Sequence, residues 1–372
     1  MAERKKVVLL GATGSIGEST LAVIRHNPDR FELLGAAANQ NETALEAIRS
    51  EFKVPHHALF RDCGVDGLME LATLPDADVV IVATTGTIGV RPTLAALEAG
   101  KTVGLANKET LVLAGQFVMP VASESPGTLL PVDSEHNAIL QCLDGCRDKA
   151  HLKRILLTAS GGPFLHFTRQ ELDHVTLEDA LRHPNWDMGT KVTIDSATMA
   201  NKGLEMIEAH WLFGVNHEAI EVVIHPQSII HSMVEFIDGS VIAQMAPPSM
   251  TFPIQHVLAW PDKVPPCHPG LDLSLIHRLE LRPPDLEKFP CLRLARESLA
   301  AGGLAPAIYN AANEVAVAAF CDKAISFATI PRLVEECLQK ASFTAPSSLE
   351  ELLSLETDLH DFSRSLLKKL GD

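Results

Sequence analysis

A strand run, a glycine turn and a helical stretch over residues 6–26, strand-and-helix alternation that continues to residue 110, and a change of character after residue 150 predict an α/β protein. The expected architecture is an N-terminal Rossmann-like parallel sheet, a central α/β catalytic domain with a mobile flap, and a small C-terminal helical domain. In numbers, the expected divisions are 1–132, 133–260 with the flap at about 160–190, a connecting segment at 261–290, and 291–372. The length of 372 residues agrees, since ~150 residues per domain gives two or three cores.

Residues 6–10 are β-rich, GATGSIG follows at 11–17, and 18–26 has helical spacing before Asn27 and Pro28 stop it. Gly11 permits a tight turn, Gly14 lets backbone approach a ligand, and Gly17 lets the helix lie close to the strand. The amides of Thr13, Gly14, Ser15 and Ile16 would then face a pyrophosphate at the positive helix end. The spacing is GxxGxxG rather than GxGxxG, so a purely structural glycine turn is the alternative. The next strand, 31–38, runs into Asn39, Gln40 and Asn41 before the first acid, Glu42. An NAD site would place an acid at that strand end. Its absence favours NADP, although no Arg or Lys stands there for the 2′-phosphate.

Further strands at 77–83 and 101–106, with a helix at 91–100 between them, argue for a parallel sheet covered on both faces. Asn107, Lys108 and Glu109 fall at a strand's carboxyl end, where such sheets collect ligands. A polar helix start is the plainer reading of that triplet.

Two acidic segments follow. Asp133, Ser134 and Glu135 come after an apolar run at 129–132, and at a strand end alternation would turn Asp133 and Glu135 to one side. In the second segment, residues 201, 205 and 208 stack Asn201, Glu205 and Glu208 on one helix face, with Ser196 or Asp195 able to cap its start. Converging carboxylates repel unless a cation lies between them, and a hard divalent ion such as Mg2+ or Mn2+ takes oxygen ligands. The competing account is solvated carboxylates on unrelated elements.

Beyond residue 150, a strand at 155–158 enters Ser160, Gly161, Gly162 and Pro163, where amides and a hydroxyl could wrap an anion. HPNWDMG at 183–189 carries Trp186 and Met188 in a turn-forming loop and reads as a lid, with Trp186 as a simple core anchor the alternative. Ser196, Asn201 and Lys202 are donors suited to phosphate and could share a pocket with Ser160. His225, His231 and His256 lie in apolar surroundings and read as satisfied core histidines. Residues 260–290 are dense in proline and charge, as a connector should be. From 291 the period is helical, and Asn310, Asn313 and Glu314 share a face suited to packing and capping.

Composition limits the function. With 46% hydrophobic residues, 21% charged and a net charge of −16, an extended phosphate backbone is a poor partner, which excludes nucleic acid. A small anion in a local basic pocket is not excluded. After Lys5 and Lys6 comes only a short apolar run, 7–10, far short of a signal-peptide core or a membrane span of ~20 residues, so a cytoplasmic chain without membrane contact is expected. Seven scattered cysteines, with Cys142 and Cys146 the one close pair, make neither a disulfide framework nor a zinc motif.

The ordered motifs GATGSIG, LANKET at 105–110, DSEHNAI at 133–139, SGGPF at 160–164, HPNWDMG, DSATMANKGLE at 195–205, HPQS at 225–228 and AANEVAVAAF at 311–320 resemble the 1-deoxy-D-xylulose 5-phosphate reductoisomerase family nearly end to end. The resemblance implies an NADPH- and divalent-metal-dependent isomerisation and reduction of 1-deoxy-D-xylulose 5-phosphate to 2-C-methyl-D-erythritol 4-phosphate, in the non-mevalonate route to isoprenoids. It implies Asp133, Glu135 and Glu205 as metal ligands, Lys108 and Ser134 at the reacting end, and Glu208 behind them. Ser160, Ser196, Asn201 and Lys202 would hold the substrate phosphate, with His183 closing over it and Trp186 and Met188 in the flap. Gly189, Asn107 and Glu109 would join Thr13, Gly14, Ser15 and Ile16 at the cofactor, and Asn39, Gln40 and Asn41 would face the adenosine end. A homodimer through the central domain is also implied. Two positions depart from the family pattern: Gln40 stands where a basic residue is common, and Asp187 where serine is frequent. An aldehyde dehydrogenase of the semialdehyde type, which needs a nucleophilic cysteine, and a non-catalytic NADP sensor are the rival readings.

Overall fold

The computed structural model describes residues 4–146, 149–186 and 188–370. They fall into two compact units: residues 1–110, 116–141 and 249–272, and residues 111–115, 142–248 and 273–372.

The first unit is built on six parallel strands, β1 (Lys5–Leu10), β2 (Phe31–Ala38), β3 (His56–Leu59), β4 (Val79–Val82), β5 (Thr102–Leu105) and β6 (Thr128–Pro131). Their order is β3-β2-β1-β4-β5-β6, and every pairing is parallel. That order is the doubly wound one, with its topological switch between β1 and β4. The connecting helices are α1 (Ser15–His26), α2 (Glu42–Phe52), α3 (Phe60–Ala72), α4 (Val90–Glu98), α5 (Glu109–Glu124) and α6 (Ser134–Leu143). Central strands covered on both faces have no polar side to show, and accordingly Val7, Val8, Leu9 and Leu10 are all fully buried. Each such side chain contributes about 1.5–3 kcal/mol by leaving water.

The second unit holds a four-stranded sheet of β7 (Leu152–Ala159), β8 (Ile220–Ile224), β9 (Ile230–Phe236) and β10 (Val241–Met245). The order is β10-β9-β7-β8, with β7 and β8 parallel and β9 antiparallel to both its neighbours. Its helices before β8 are α7 (Arg169–Leu172), α8 (Leu177–Ala180), α9 (Thr190–Thr198) and α10 (Ala200–Phe213). One later helix, α11 (Thr251–Ala259), belongs to the first unit and places Ile254, Val257 and Leu258 in that unit's core. The chain then completes the second unit with α12 (Pro290–Ala301), α13 (Ala305–Cys321), α14 (Thr329–Lys340) and α15 (Leu349–Leu370). Helices α10, α12 and α13 meet closely: a Cβ on Gly203 would lie 2.5 Å from Ala295 Cβ and 2.9 Å from the Tyr309 hydroxyl.

These units differ from the divisions expected at 132 and 260. Residues 133–141 and α11 go with the parallel sheet, because the apolar face of α11 is buried against it. The C-terminal helices go with the second sheet's unit, because α12 and α13 bury Leu294, Ala295 and Tyr309 there. Residues 163–182, within the stretch expected as flap, contain α7 and α8, each started by a capping box, Thr168 with Glu171 and Thr176 with Asp179. No helix among the described residues is long and apolar enough to cross a membrane.

Candidate active site

The glycine turn closes where its sequence requires. Gly11 has φ +94°, and a Cβ there would sit 2.3 Å from the Ala83 carbonyl oxygen, so only glycine lets the ends of β1 and β4 approach. A Cβ on Gly17 would sit 2.4 Å from the Ala12 oxygen, which keeps α1 against its strand. Gly14 begins α1 without a side-chain cap, and its own Cβ position is open apart from the Gly11 oxygen at 3.6 Å. The helix start at Thr13, Ser15 and Ile16 therefore presents uncovered backbone, which fits a dinucleotide pyrophosphate.

At the end of β2, Asn41 caps α2 by accepting the Ala44 amide at 3.1 Å, while Asn39 and Gln40 are exposed. Asn107 is committed elsewhere: its amide nitrogen donates to the carbonyls of Thr84 (2.6 Å) and Gly86 (2.7 Å), and its oxygen accepts from the amide and hydroxyl of Thr110. Its side chain ties the loop after β4 to the start of α5. Glu109 is the first residue of α5.

Asp133 and Glu135 come together by a different route from strand alternation. The strand β6 stops at Pro131, and Asp133 starts a helix, its carbonyl accepting the Asn137 amide at 2.8 Å while the Asn137 side chain returns to the Pro131 oxygen at 2.9 Å. Glu135 is thus in the first turn of α6, where the helix dipole favours a carboxylate. Carboxylate oxygens of Asp133 and Glu135 lie within 4.8 Å of each other. Lys108 forms an ion pair with Asp133, Ser134 donates to Glu135, and the buried His136 places Nδ1 3.9 Å from Asp133. This all-oxygen carboxylate pair suits a hard divalent cation.

In the second unit, Ser160 and His183 meet at 2.9 Å. His183 Nδ1 accepts the amides of Asn185 (3.2 Å) and Trp186 (3.0 Å), which leaves the ring proton on Nε2 to donate to the Ser160 oxygen. Burial holds the histidine neutral, its pKa lowered to about 4. Ser160 Oγ also accepts the Gly162 amide at 3.2 Å, so its own proton remains to be donated to an anion. Gly162, at φ +66°, lies on α9: a Cβ there would be 2.7 Å from the Ser196 carbonyl oxygen. The Ser160 loop and the Ser196 backbone are therefore neighbours, as the shared pocket requires.

The acidic helix starts later than its sequence suggests. Asp195 and Ser196 lie within α9, the chain breaks at Met199 with φ 60°, and α10 begins at Ala200. Asn201 Nδ2 donates to Glu205 Oε1 at 2.6 Å and Lys202 pairs with Glu205 Oε2. Glu205 and Glu208 are both about 1% exposed.

The loop carrying Trp186 is fastened at its start. Asn185 donates to Pro226 O (2.6 Å) and Ser228 Oγ (2.9 Å), and Trp186 packs edge-on to His231. Gly189 begins α9, and Asp187 lies outside the described residues. His225 is satisfied, bonding the Glu280 carbonyl and the Ile229 amide, and His231 bonds the Ala246 carbonyl. His256 is not fully satisfied, since its Nδ1 has no partner among the described residues, and burial, with Lys263 assisting, lowers its pKa to about 4.

Two features escaped the sequence reading. Arg61, at the start of α3, stands beside Gln40, although the three residues directly after β2, 39–41, include no basic one. Asp195 is held by Asn313 Nδ2 at 2.7 Å and Lys191 at 3.0 Å, and Glu314 pairs with His360 at 2.8 Å, so the shared face of α13 anchors α9 and α15. No local signal announces contacts 118 residues apart.

Family models described as 1-deoxy-D-xylulose 5-phosphate reductoisomerase match residues 7–62 and 57–115, those of its C-terminal domain match 129–213, and a DXP reductoisomerase C-terminal domain matches 245–362. A Bacillus cereus protein named 1-deoxy-D-xylulose 5-phosphate reductoisomerase 2 is 48% identical over 375 residues, covering 96% of this chain and 98% of its own. A Chlorobium chlorochromatii reductoisomerase is 49% identical over 381 residues, covering 96% and 98%. Among solved structures, a DOX-P reductoisomerase in complex with NADPH, fosmidomycin and magnesium superposes with TM-score 0.92 at 38% identity, covering 98% of this chain and 99% of that one. The Zymomonas mobilis enzyme in complex with NADPH gives TM-score 0.88 at 42% identity, covering 98% and 99%.

Proposed function

The chain belongs to the 1-deoxy-D-xylulose 5-phosphate reductoisomerase family, and on that premise we propose how its residues carry out the isomerisation and NADPH-dependent reduction of 1-deoxy-D-xylulose 5-phosphate to 2-C-methyl-D-erythritol 4-phosphate. The observation that carries this reading is the end-to-end match to reductoisomerases together with a carboxylate pair at a strand end of a dinucleotide-type sheet. When bound, NADPH supplies hydride and a divalent ion, Mg2+ or Mn2+, polarises the substrate's ketone and hydroxyl oxygens.

Asp133, Glu135 and Glu205 would hold the ion. The closeness of the first two, their oxygen chemistry and the burial of Glu205 support this. Lys108, paired with Asp133, and Ser134 would orient the reacting end, with Glu208 steadying the ligands. Ser160 would donate its free hydroxyl proton to the substrate phosphate, held in that orientation by neutral His183, and Ser196, Asn201 and Lys202 would complete the anion pocket. Trp186 and Met188 would form the flap that excludes water. Thr13, Gly14, Ser15, Ile16 and Gly189 would line the cofactor, with Asn39, Gln40 and Asn41 at the adenosine end, Glu109 close by, and Asn107 acting by shaping the loop at Thr84–Gly86.

A homodimer is supported by the edge strand β10, which leaves Val241 and Ile242 exposed beside Ile237. A cytoplasmic location fits the absence of any disulfide among the described cysteines. The decisive assay follows NADPH absorbance with 1-deoxy-D-xylulose 5-phosphate, with and without Mg2+ or Mn2+. Substrate- and metal-dependent oxidation is expected; cofactor binding without turnover would favour the sensor, and loss of turnover on alkylating one cysteine would favour the dehydrogenase.

A further inference from the structure

The adenosine end of the cofactor site poses a charge problem. The reductoisomerase structures it matches hold NADPH, whose 2′-phosphate calls for a cation, yet this chain has Asn39, Gln40 and Asn41 after β2. Pairing of β3 with β2, Leu59 opposite Ala38, brings the start of α3, just past β3, to the same sheet edge. Its second residue is Arg61. Its amide donates to the Asn39 carbonyl at 3.3 Å and its Nη1 reaches the Gln40 carbonyl at 3.4 Å. The side chain is 42% exposed, with Nη2 on Glu42 at 2.6 Å and Nε 3.3 Å from Asp62.

We infer that Arg61 is the 2′-phosphate receptor of this chain, supplying from the start of α3 the charge that Gln40 does not supply from the turn after β2. The backbone anchors to Asn39 and Gln40 fix where the guanidinium stands, at the carboxyl end of the strand beside which a dinucleotide's adenosine ribose lies in this fold. A phosphate dianion offers the planar guanidinium a two-pronged partner. Glu42 and Asp62 are exposed, and their solvent-screened pairs with Arg61 are weak competitors for it. Arg61 would swing from Glu42 to the phosphate while its main chain stays in place.

The inference rests on the family's use of NADPH, and binding separates the two. NADPH and NADH are titrated into the full chain by calorimetry, without substrate, for wild type, Arg61→Ala and Arg61→Lys, with 2′,5′-ADP and 5′-AMP as competing fragments. Arg61→Ala is expected to raise the Kd for NADPH and 2′,5′-ADP by about tenfold or more while moving those for NADH and 5′-AMP less than about twofold, and Arg61→Lys to recover part of the loss. Equal losses for the phosphorylated and plain ligands, or unchanged NADPH affinity, would overturn the role of Arg61. Failure of the wild-type chain to bind NADPH at all would instead overturn the reading on which it rests.

Discussion

In the first unit the candidate functional groups sit on turns at the carboxyl ends of parallel strands, and much of what they offer is backbone: the uncapped start of α1, the loop that Asn107 holds, the turn after β2. In the second unit they are side chains locked by other side chains, Ser160 by His183 and Glu205 by Asn201 and Lys202, with the helix bearing Ser196 anchored through Asp195. The difference matches what each unit is proposed to recognise. A pyrophosphate can be met by any correctly turned backbone, so glycine spacing suffices. A small sugar phosphate needs specific charged and hydroxyl groups, and in a buried site each such group must itself be satisfied.

Substitutions should therefore act by steric closure in the first unit and by lost polar partners in the second. The largest effect expected is from Glu205→Gln, which keeps shape and removes a charge. With saturating Mg2+, turnover should fall by ~10³-fold or more while NADPH affinity stays near wild type. Near-normal turnover would remove Glu205 from the ion's ligands. Next comes Gly17→Ala, whose Cβ would press on the Ala12 and Gly11 backbone at 2.4–2.5 Å. A cost of ~1–3 kcal/mol in stability and a weaker NADPH titration are expected, and a neutral result would contradict steric closure.

Asn313→Ala should act in the second unit, leaving the buried Asp195 Oδ1 without its donor. A loss of ~1–3 kcal/mol in urea unfolding, with NADPH affinity unchanged, is the expected outcome. The smallest effect concerns pH. Hydrogen bonding to Glu314 raises the pKa of half-buried His360 above its ordinary 6.5, with burial opposing and Glu356 assisting, and Glu314 is held low by His360 and Lys191 against its own burial. A raised histidine pKa stabilises the fold fully below the unfolded value and loses that contribution as pH rises through the folded one. The stability difference between wild type and His360→Gln should therefore shrink from pH 6 to about pH 9, by less than ~1 kcal/mol because solvent screens the pair. A difference that grew with pH would reverse the sign of the assignment.

Legibility in the sequence also divides along these lines. The strand at 31–38 and the glycine turn were readable because apolar runs and glycine spacing are local signals. Alternation misplaced Asp133 and Glu135, because a strand ending at Pro131 hands over to a helix start, where neighbours are set by a turn of about 3.6 residues rather than by a period of two. Asp195 and Ser196 looked like a cap because nothing in the sequence marks the left-handed Met199 that separates α9 from α10. Two capping boxes start α7 and α8 within the stretch expected as flap.

By itself the sequence determined the α/β class, the glycine turn, the acidic helix face and the family, since each rests on residues close together in the chain or on motif order. Only the tertiary structure decided which groups satisfy those residues: Arg61 beside Gln40 through the β2–β3 pairing, His183 oriented by its own loop's amides, Asp195 held from α13. The physical reason is that hydrogen bonds and ion pairs depend on distance in space, and residues far apart in sequence become neighbours only once the strands have paired and the helices have packed.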